Sequence, residues 1–237
     1  MIKYNCIEYI YDTIKIQKSQ EAMTKRTPPK RKYDSARRKA QAHQTRLQIV
    51  DAARRLFVEK GFAGATIEAI AQEAGIAQET VYAIFGSKRK ILSFLLDISV
   101  GGDDQPLQIL DRPNPQAILR DTDQHRQLEL FSQDISEILA RAAPVFEIMR
   151  HAAKLEPEIA EFVQHMLAER LQNMTRFAQS VSANGPLRHG LDETDAGEIT
   201  WAMTSPELFQ LLTVDRGWTK ERYARWLADA LVRLLLP

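Results

Sequence analysis

A chain of 237 residues, 44% hydrophobic and 27% charged, has the apolar content to bury one large or two smaller cores, the composition of a soluble globular protein. Its single cysteine, Cys6, excludes an intramolecular disulfide and a cysteine-based metal cluster, and no apolar run reaches the length of a bilayer span or makes the core of a signal peptide. The net charge of +1 conceals a division, since residues 24–60 hold twelve Lys or Arg against three acids, whereas residues 93–237 hold fourteen against twenty-two.

A basic segment of this kind suits a polyanion, because neutralised phosphates release condensed counterions; a solvated tail is the other reading of the same charges. Residues 1–22 are rich in Ile, Lys and Tyr without Arg, and everything after Met23 is rich in Ala and Arg. Met23 is therefore read as the functional start and residues 1–22 as an extension outside the fold. Pro28 and Pro29 block early helix formation, so residues 24–41 read as a flexible basic arm.

From Gln44 the periodicity is helical, with Leu47, Val50, Ala53, Phe57 and Val58 at spacings of three and four, until Gly61 stops the helix as a left-handed cap. Thr66 is the N-cap of a second helix carrying Ile67, Ile70, Ala71 and Ala74 on one face. A third runs from Gln78 to Phe85, and a fourth from Lys88 to Val100. The Gly-, Pro- and Asp-rich stretch 101–115 reads as a joint between domains. Beyond it come helices over 124–142, 144–154 and 157–182, one from Glu193 interrupted at Ser205-Pro206, and a last one over 219–236. No segment alternates with period two, so the expected class is all-α: 1–42 a disordered extension and basic arm, 43–103 a first helical domain, and 104–237 a second helical domain.

The stretch from Ala71 to Ile84 carries the functional signal. A small residue at 71 lets a second helix cross closely, Gly75 takes the positive φ of a sharp turn, and Val81 and Ile84 share the face that packs back. This is a helix-turn-helix over 66–85. It leaves Gln78, Glu79, Thr80, Tyr82 and Ala83 facing outward, where the first residues of the second helix reach base edges in a major groove. A plain helical hairpin produces the same spacing, and the neighbouring basic segment favours the DNA reading.

Residues 45–92 resemble the DNA-binding domain of the TetR family of bacterial transcriptional regulators, through Ala53, Phe57, Gly61-Phe62, Thr66, Ile70-Ala71, Gly75, Thr80-Val81-Tyr82, Phe85, Ser87-Lys88 and Leu92. The resemblance implies a homodimer on a palindromic double-stranded operator and a larger helical domain that binds a small molecule and releases the DNA. Carried onto this chain, it implies that Thr66 and Lys88 meet phosphate, Gln78 and Thr80 face bases, Tyr82 meets the backbone, and Arg46 joins the DNA-contacting set. Ala77 departs from the family, which commonly has Ser or Thr there; the missing capping oxygen costs roughly 0.5–2 kcal/mol. Glu79 either accepts from a cytosine amino group or only complements the helix dipole.

Phe131, Phe146, Met149, Phe162, Met166, Phe177 and Trp201 are the expected lining of an apolar ligand pocket, and each alone equally suits ordinary core. Tyr223, Trp226, Leu227, Leu231 and Leu234 on the last helix are the expected dimer interface. Five histidines offer only pairs at helical spacing, without a third ligand, so neither metal nor cofactor is expected. No catalytic motif appears, which argues against an enzyme. The reading is a cytoplasmic, dimeric, ligand-responsive regulator, a repressor before an activator, that does not engage membranes; the alternative is a helical protein-interaction module whose helix-turn-helix does not bind DNA.

Overall fold

The computed structural model describes residues 33–237, the side chains of 33–36 and 39 excepted. The expected extension over 1–22 and the proline-bearing part of the arm lie outside the described residues. Every regular element among the described residues is helical, and the chain divides into two compact units between Ile98 and Ser99. No described helix is long and apolar enough to cross a membrane.

The first unit contains α1 (Tyr33–Gly64), α2 (Ile67–Ala74), α3 (Gln78–Phe85) and most of α4 (Lys88–Gly101). Helix α1 starts at Tyr33, well before Gln44, so residues 33–42 are helical where disorder is expected. Residues 33–43 are largely Ala, Arg, Lys and Gln, which favour helix intrinsically without an apolar stripe, and periodicity therefore misses this start. The stripe begins at Ile49 and continues through Val50, Ala52, Ala53, Leu56 and Phe57, all buried. Val58, counted with that stripe by spacing, is 66% exposed. Gly61 has the expected positive φ, but its φ of 69° with ψ of 172° is not a left-handed cap. It is an extended glycine conformation that kinks the chain into one more helical turn.

The second unit contains a 3₁₀ turn (Ile109–Asp111), α5 (Pro113–Leu119), α6 (Gln124–Ala153), α7 (Pro157–Ser182), α8 (Glu193–Met203), α9 (Pro206–Gln210), a π turn (Leu211–Asp215) and α10 (Lys220–Leu235). The expected joint over 101–115 is thus partly structured. Its order has a visible source, because Arg112 forks onto Asp103 at 3.0 and 2.9 Å and donates to Gln105 O. Helix α6 runs unbroken through Pro144, where the sequence suggests two helices. The buried Ala142, Ala143, Val145 and Phe146 around it supply packing that offsets the hydrogen bond proline removes.

The core of this unit joins Leu128, Phe131 and Ile135 of α6, Phe177 and Val181 of α7, and Tyr223, Leu227, Leu231 and Leu235 of α10. Gln127 is fully buried and bridges elements, donating to Ile118 O at 3.0 Å and Ser180 Oγ at 2.9 Å, and accepting from Asn184 at 3.1 Å. Each α-helix from α8 to α10 begins at a capping side chain, Asp192, Ser205 or Thr219; Asp192 forms a full capping box with Asp195.

Candidate nucleic-acid interface

Helix α2 starts at Thr66, whose hydroxyl oxygen accepts from Ala69 N at 3.0 Å. It ends at Gly75, left-handed at φ 66° and ψ 32°, whose N–H reaches Ala71 O and Gln72 O. That residue turns the chain within two positions, and Ile76 N closes the turn on Ala71 O at 2.9 Å. Ile70 (0% exposed), Ala71 (4%), Val81 (0%) and Phe85 (2%) are buried, and the Phe85 ring lies 5.8 Å from that of Phe94 on α4. Two short helices, neither able to persist alone, are thereby held by one small core.

The face of α3 opposite that core carries Gln78, Glu79, Tyr82 and Ala83, all exposed, with Thr80 half-buried at its edge. Tyr82 is 49% exposed, and its large apolar ring is free of the core. Ala77 stands at the N-cap in extended conformation and makes no side-chain cap. Its carbonyl accepts from Thr80 N and Val81 N at 3.0 and 3.3 Å. The N–H groups of Gln78 and Glu79 precede the first intrahelical hydrogen bond, and together with the helix dipole they make an electropositive end beside Gln78.

Two residues expected on DNA are engaged within the unit. Lys88 Nζ donates to Phe62 O at 2.5 Å and lies 4.2 Å from the Phe62 ring centroid, tying the start of α4 to the kink at Gly61. Arg46 places its guanidinium 5.6 Å from the Phe94 ring centroid. A pairing that sequence reasoning misses is Arg55 to Glu73 at 2.9 Å, between α1 and α2, with Asp51 also held by Arg55. The hydrogen bond that Arg55 donates to Glu73 leads in raising the Arg55 pKa above its ordinary value. These residues are eighteen apart in sequence, beyond any helical spacing rule.

The residues expected to line a ligand pocket in the second unit do not form one set. Phe131, Phe146, Met149 and Phe177 are buried, and the Phe131 and Phe177 rings stack with centroids 3.9 Å apart. These four are part of the unit's buried hydrophobic core. Phe162, Met166 and Trp201 remain half-buried. A shallow surface groove of about 520 Å³ lies elsewhere, lined by Ser182, Pro186, Leu187, Leu191 and Glu193 among others. The expected dimer face is likewise divided. Tyr223, Leu227 and Leu231 are 0% exposed within their own unit's core, whereas Trp226 and Leu234 are half-buried against it. The wide apolar face of α10 is mostly consumed by its own domain.

The family model for bacterial regulatory proteins of the tetR family matches residues 49–93, which hold the whole helix-turn-helix. The HTH-type transcriptional regulator TtgR of Pseudomonas putida is 28% identical over 131 residues, a match spanning 54% of this chain and 60% of that protein. Among solved structures, NalD, the secondary repressor of the MexAB-OprM multidrug efflux pump in Pseudomonas aeruginosa, superposes with a TM-score of 0.61 at 20% identity, over 83% of this chain and 98% of NalD. The SmeT–triclosan complex gives a TM-score of 0.59 at 20% identity, over 82% of this chain and 92% of SmeT. Residues 49–93 thus match the domain of bacterial regulatory proteins of the tetR family, and the helical fold behind that domain resembles those of NalD and SmeT.

Proposed function

We propose that this protein is a transcriptional repressor that binds a palindromic operator as a dimer and releases it when a small apolar molecule occupies the second unit. The observation that carries the DNA-binding half is the exposed face of α3, with Gln78, Glu79, Tyr82 and Ala83 presented around an electropositive helix start and the basic residues of α1 in the same unit. Gln78, nearest that start, reads a base edge through its amide, and Thr80 contributes from the rim. Tyr82 donates its hydroxyl to a phosphate. Thr66 keeps its hydroxyl proton for a phosphate while its oxygen caps α2. Lys88 and Arg46 act at one remove, by holding α4 and α1 in place.

Operator selection from random DNA, followed by fluorescence anisotropy, tests this reading. Gln78→Ala is expected to cost roughly 1–3 kcal/mol at one operator position and little on unrelated DNA. A chain without residues 24–32 is expected to lose affinity for all sequences and to show a shallower salt dependence. An equal loss from Gln78→Ala on every sequence contradicts base reading. A failure of the full chain to shift any DNA favours the protein-interaction module.

The dimer is proposed to form around the π turn. Leu211 is 50% exposed and Val214 72%, and the nearby Trp218 ring meets Trp226 edge-on at 5.9 Å. Large exposed apolar side chains beside a half-buried tryptophan pair make a patch a second copy covers. Val214→Asp is expected to shift sedimentation toward monomer with helical content unchanged and to weaken operator binding at least tenfold. An unchanged dimer would place the interface elsewhere.

Release is proposed through α4, which runs from Lys88 to the Gly101–Gly102 joint. A dimer must hold its reading heads about 34–36 Å apart, and a ligand preferring another spacing lowers affinity, typically by 5- to 150-fold. That SmeT binds triclosan supports a small apolar ligand.

A further inference from the structure

Between α7 and α8 a buried guanidinium stands without the partners its position requires. Arg170 lies with its guanidinium carbon 5.1 Å from the Trp201 ring centroid and spends one terminal nitrogen on two neutral acceptors, Trp201 O at 2.6 Å and Thr204 Oγ1 at 2.7 Å. Its other terminal nitrogen, Nη1, and the Trp201 indole Nε1 are both fully buried and lack a hydrogen-bond partner among the described residues. Two strong donors left open on neighbouring side chains are costly, since an unmade buried hydrogen bond forfeits about 1–3 kcal/mol per group, and more when the group is charged.

The charge balance has the same defect. Arg150 holds Glu207 in an ion pair, and Arg170 has that one carboxylate as its opposing charge while Arg150 repels it. Two cations thus share a single anion. The rest of the surroundings is apolar or already satisfied. Thr204 Oγ1 donates to Thr200 O at 2.7 Å, Met174 Sδ lies 3.8 Å from the same hydroxyl, and Tyr223 donates to Met203 O at 3.0 Å. Burial pushes the Arg170 pKa down to about 10, so the group is still charged near neutrality. A bound water would answer the open donors and leave the surplus charge standing, whereas a monocarboxylate answers both. A phosphate brings a second charge and further acceptors that two donors cannot meet.

We propose that Arg170 and Trp201 form a recognition site for the carboxylate of an apolar organic acid. Its two oxygens accept from Arg170 Nη1 and Trp201 Nε1, and its body lies along the half-buried Met166, one helical turn before Arg170 on the same face of α7. This assignment rests on the sensor role proposed above and specifies the chemistry of the ligand.

The test uses the full chain and matched probes, 1-naphthoate against 1-naphthamide and decanoate against decanamide, measured by calorimetry without DNA. The carboxylate of at least one pair is expected to bind at least tenfold tighter than its amide, as a charge-assisted hydrogen bond implies. Arg170→Met is expected to erase that preference, and Trp201→Phe, which keeps the ring plane and removes only the N–H, to reduce it by about threefold or more. Arg170→Lys retains the charge and should keep part of the preference, so a folding defect in the Met variant does not decide the outcome. Equal affinity for acid and amide, no binding by either, or an acid preference that survives both Arg170→Met and Trp201→Phe would overturn the site. Adding operator separates the two readings. Arg170-dependent acid binding with undiminished operator affinity leaves the site standing and sinks ligand release, whereas release of operator by amides and acids alike does the reverse.

Discussion

Leu227→Asp is expected to unfold the second unit and not to yield a folded monomer. Leu227 is 0% exposed and shares its core with Tyr223, Leu231, Phe131 and Phe177. Truncating such a side chain to alanine costs about 2–5 kcal/mol from lost transfer energy and the cavity left behind. A carboxylate there adds the penalty of a buried unpaired charge, several kcal/mol more, and the sum rivals the roughly 5–15 kcal/mol that holds a typical domain together. Circular dichroism should show loss of helix and of a cooperative melt, while Leu227→Ala should melt cooperatively at a temperature lower by about 10 °C or more. A Leu227→Asp protein with native helix content that sediments as a monomer would return α10 to the role of interface.

Gly197→Val is the second large effect. Gly197 is buried in the middle of α8, where glycine costs about 1 kcal/mol relative to alanine by propensity alone. A Cβ at this position would sit 2.8 Å from Thr175 Cα and 2.7 Å from Thr175 Oγ1 on α7. Thr175 Cα is backbone, which cannot rotate away, and the slightly nearer Thr175 Oγ1 is itself committed to Leu171 O at 3.0 Å. The two helices approach at a distance only a bare Cα permits. Gly197→Ala is therefore expected to destabilise by about 1–3 kcal/mol despite its propensity gain, and Gly197→Val by more, read as the denaturation midpoint. Stabilisation by alanine would mean that the helices are farther apart than this crossing requires.

How much of this was legible beforehand depended on the range of the interaction. Local rules placed most helices within a few residues, because Thr66, Gly75, Asp192, Ser205 and Thr219 act on neighbours three or four positions away. The helix-turn-helix was legible for the same reason: Ala71, Gly75, Val81 and Phe85 lie within fifteen residues. Three kinds of feature were not. Apolar periodicity is blind to a helix carried by propensity alone, as at residues 33–43, and to a proline absorbed by packing, as at Pro144. It also cannot tell a fully buried apolar side chain from a half-buried one, so Phe131 and Phe177 looked the same as Met166. Contacts between distant segments, Arg170 with Trp201 or Gly197 with Thr175, leave at most a trace, such as a glycine inside a helix that otherwise argues against it.

The bare N-cap at Ala77 has a further consequence for the free protein. A first turn with no capping side chain opens to solvent more readily than that of α2, where Thr66 fastens Ala69. In amide hydrogen exchange, Gln78 and Glu79 are expected at the low-protection end of their unit, and the amides around Val81 and Phe85 are expected to share the protection of the core. In the proposed complex with DNA, a phosphate docked on those amides would supply the missing acceptor, so that ordering of this turn and engagement of DNA would become one event. An affinity measured on DNA then includes the ordering of that turn, and a sequence that fails to seat its phosphate there leaves the turn frayed.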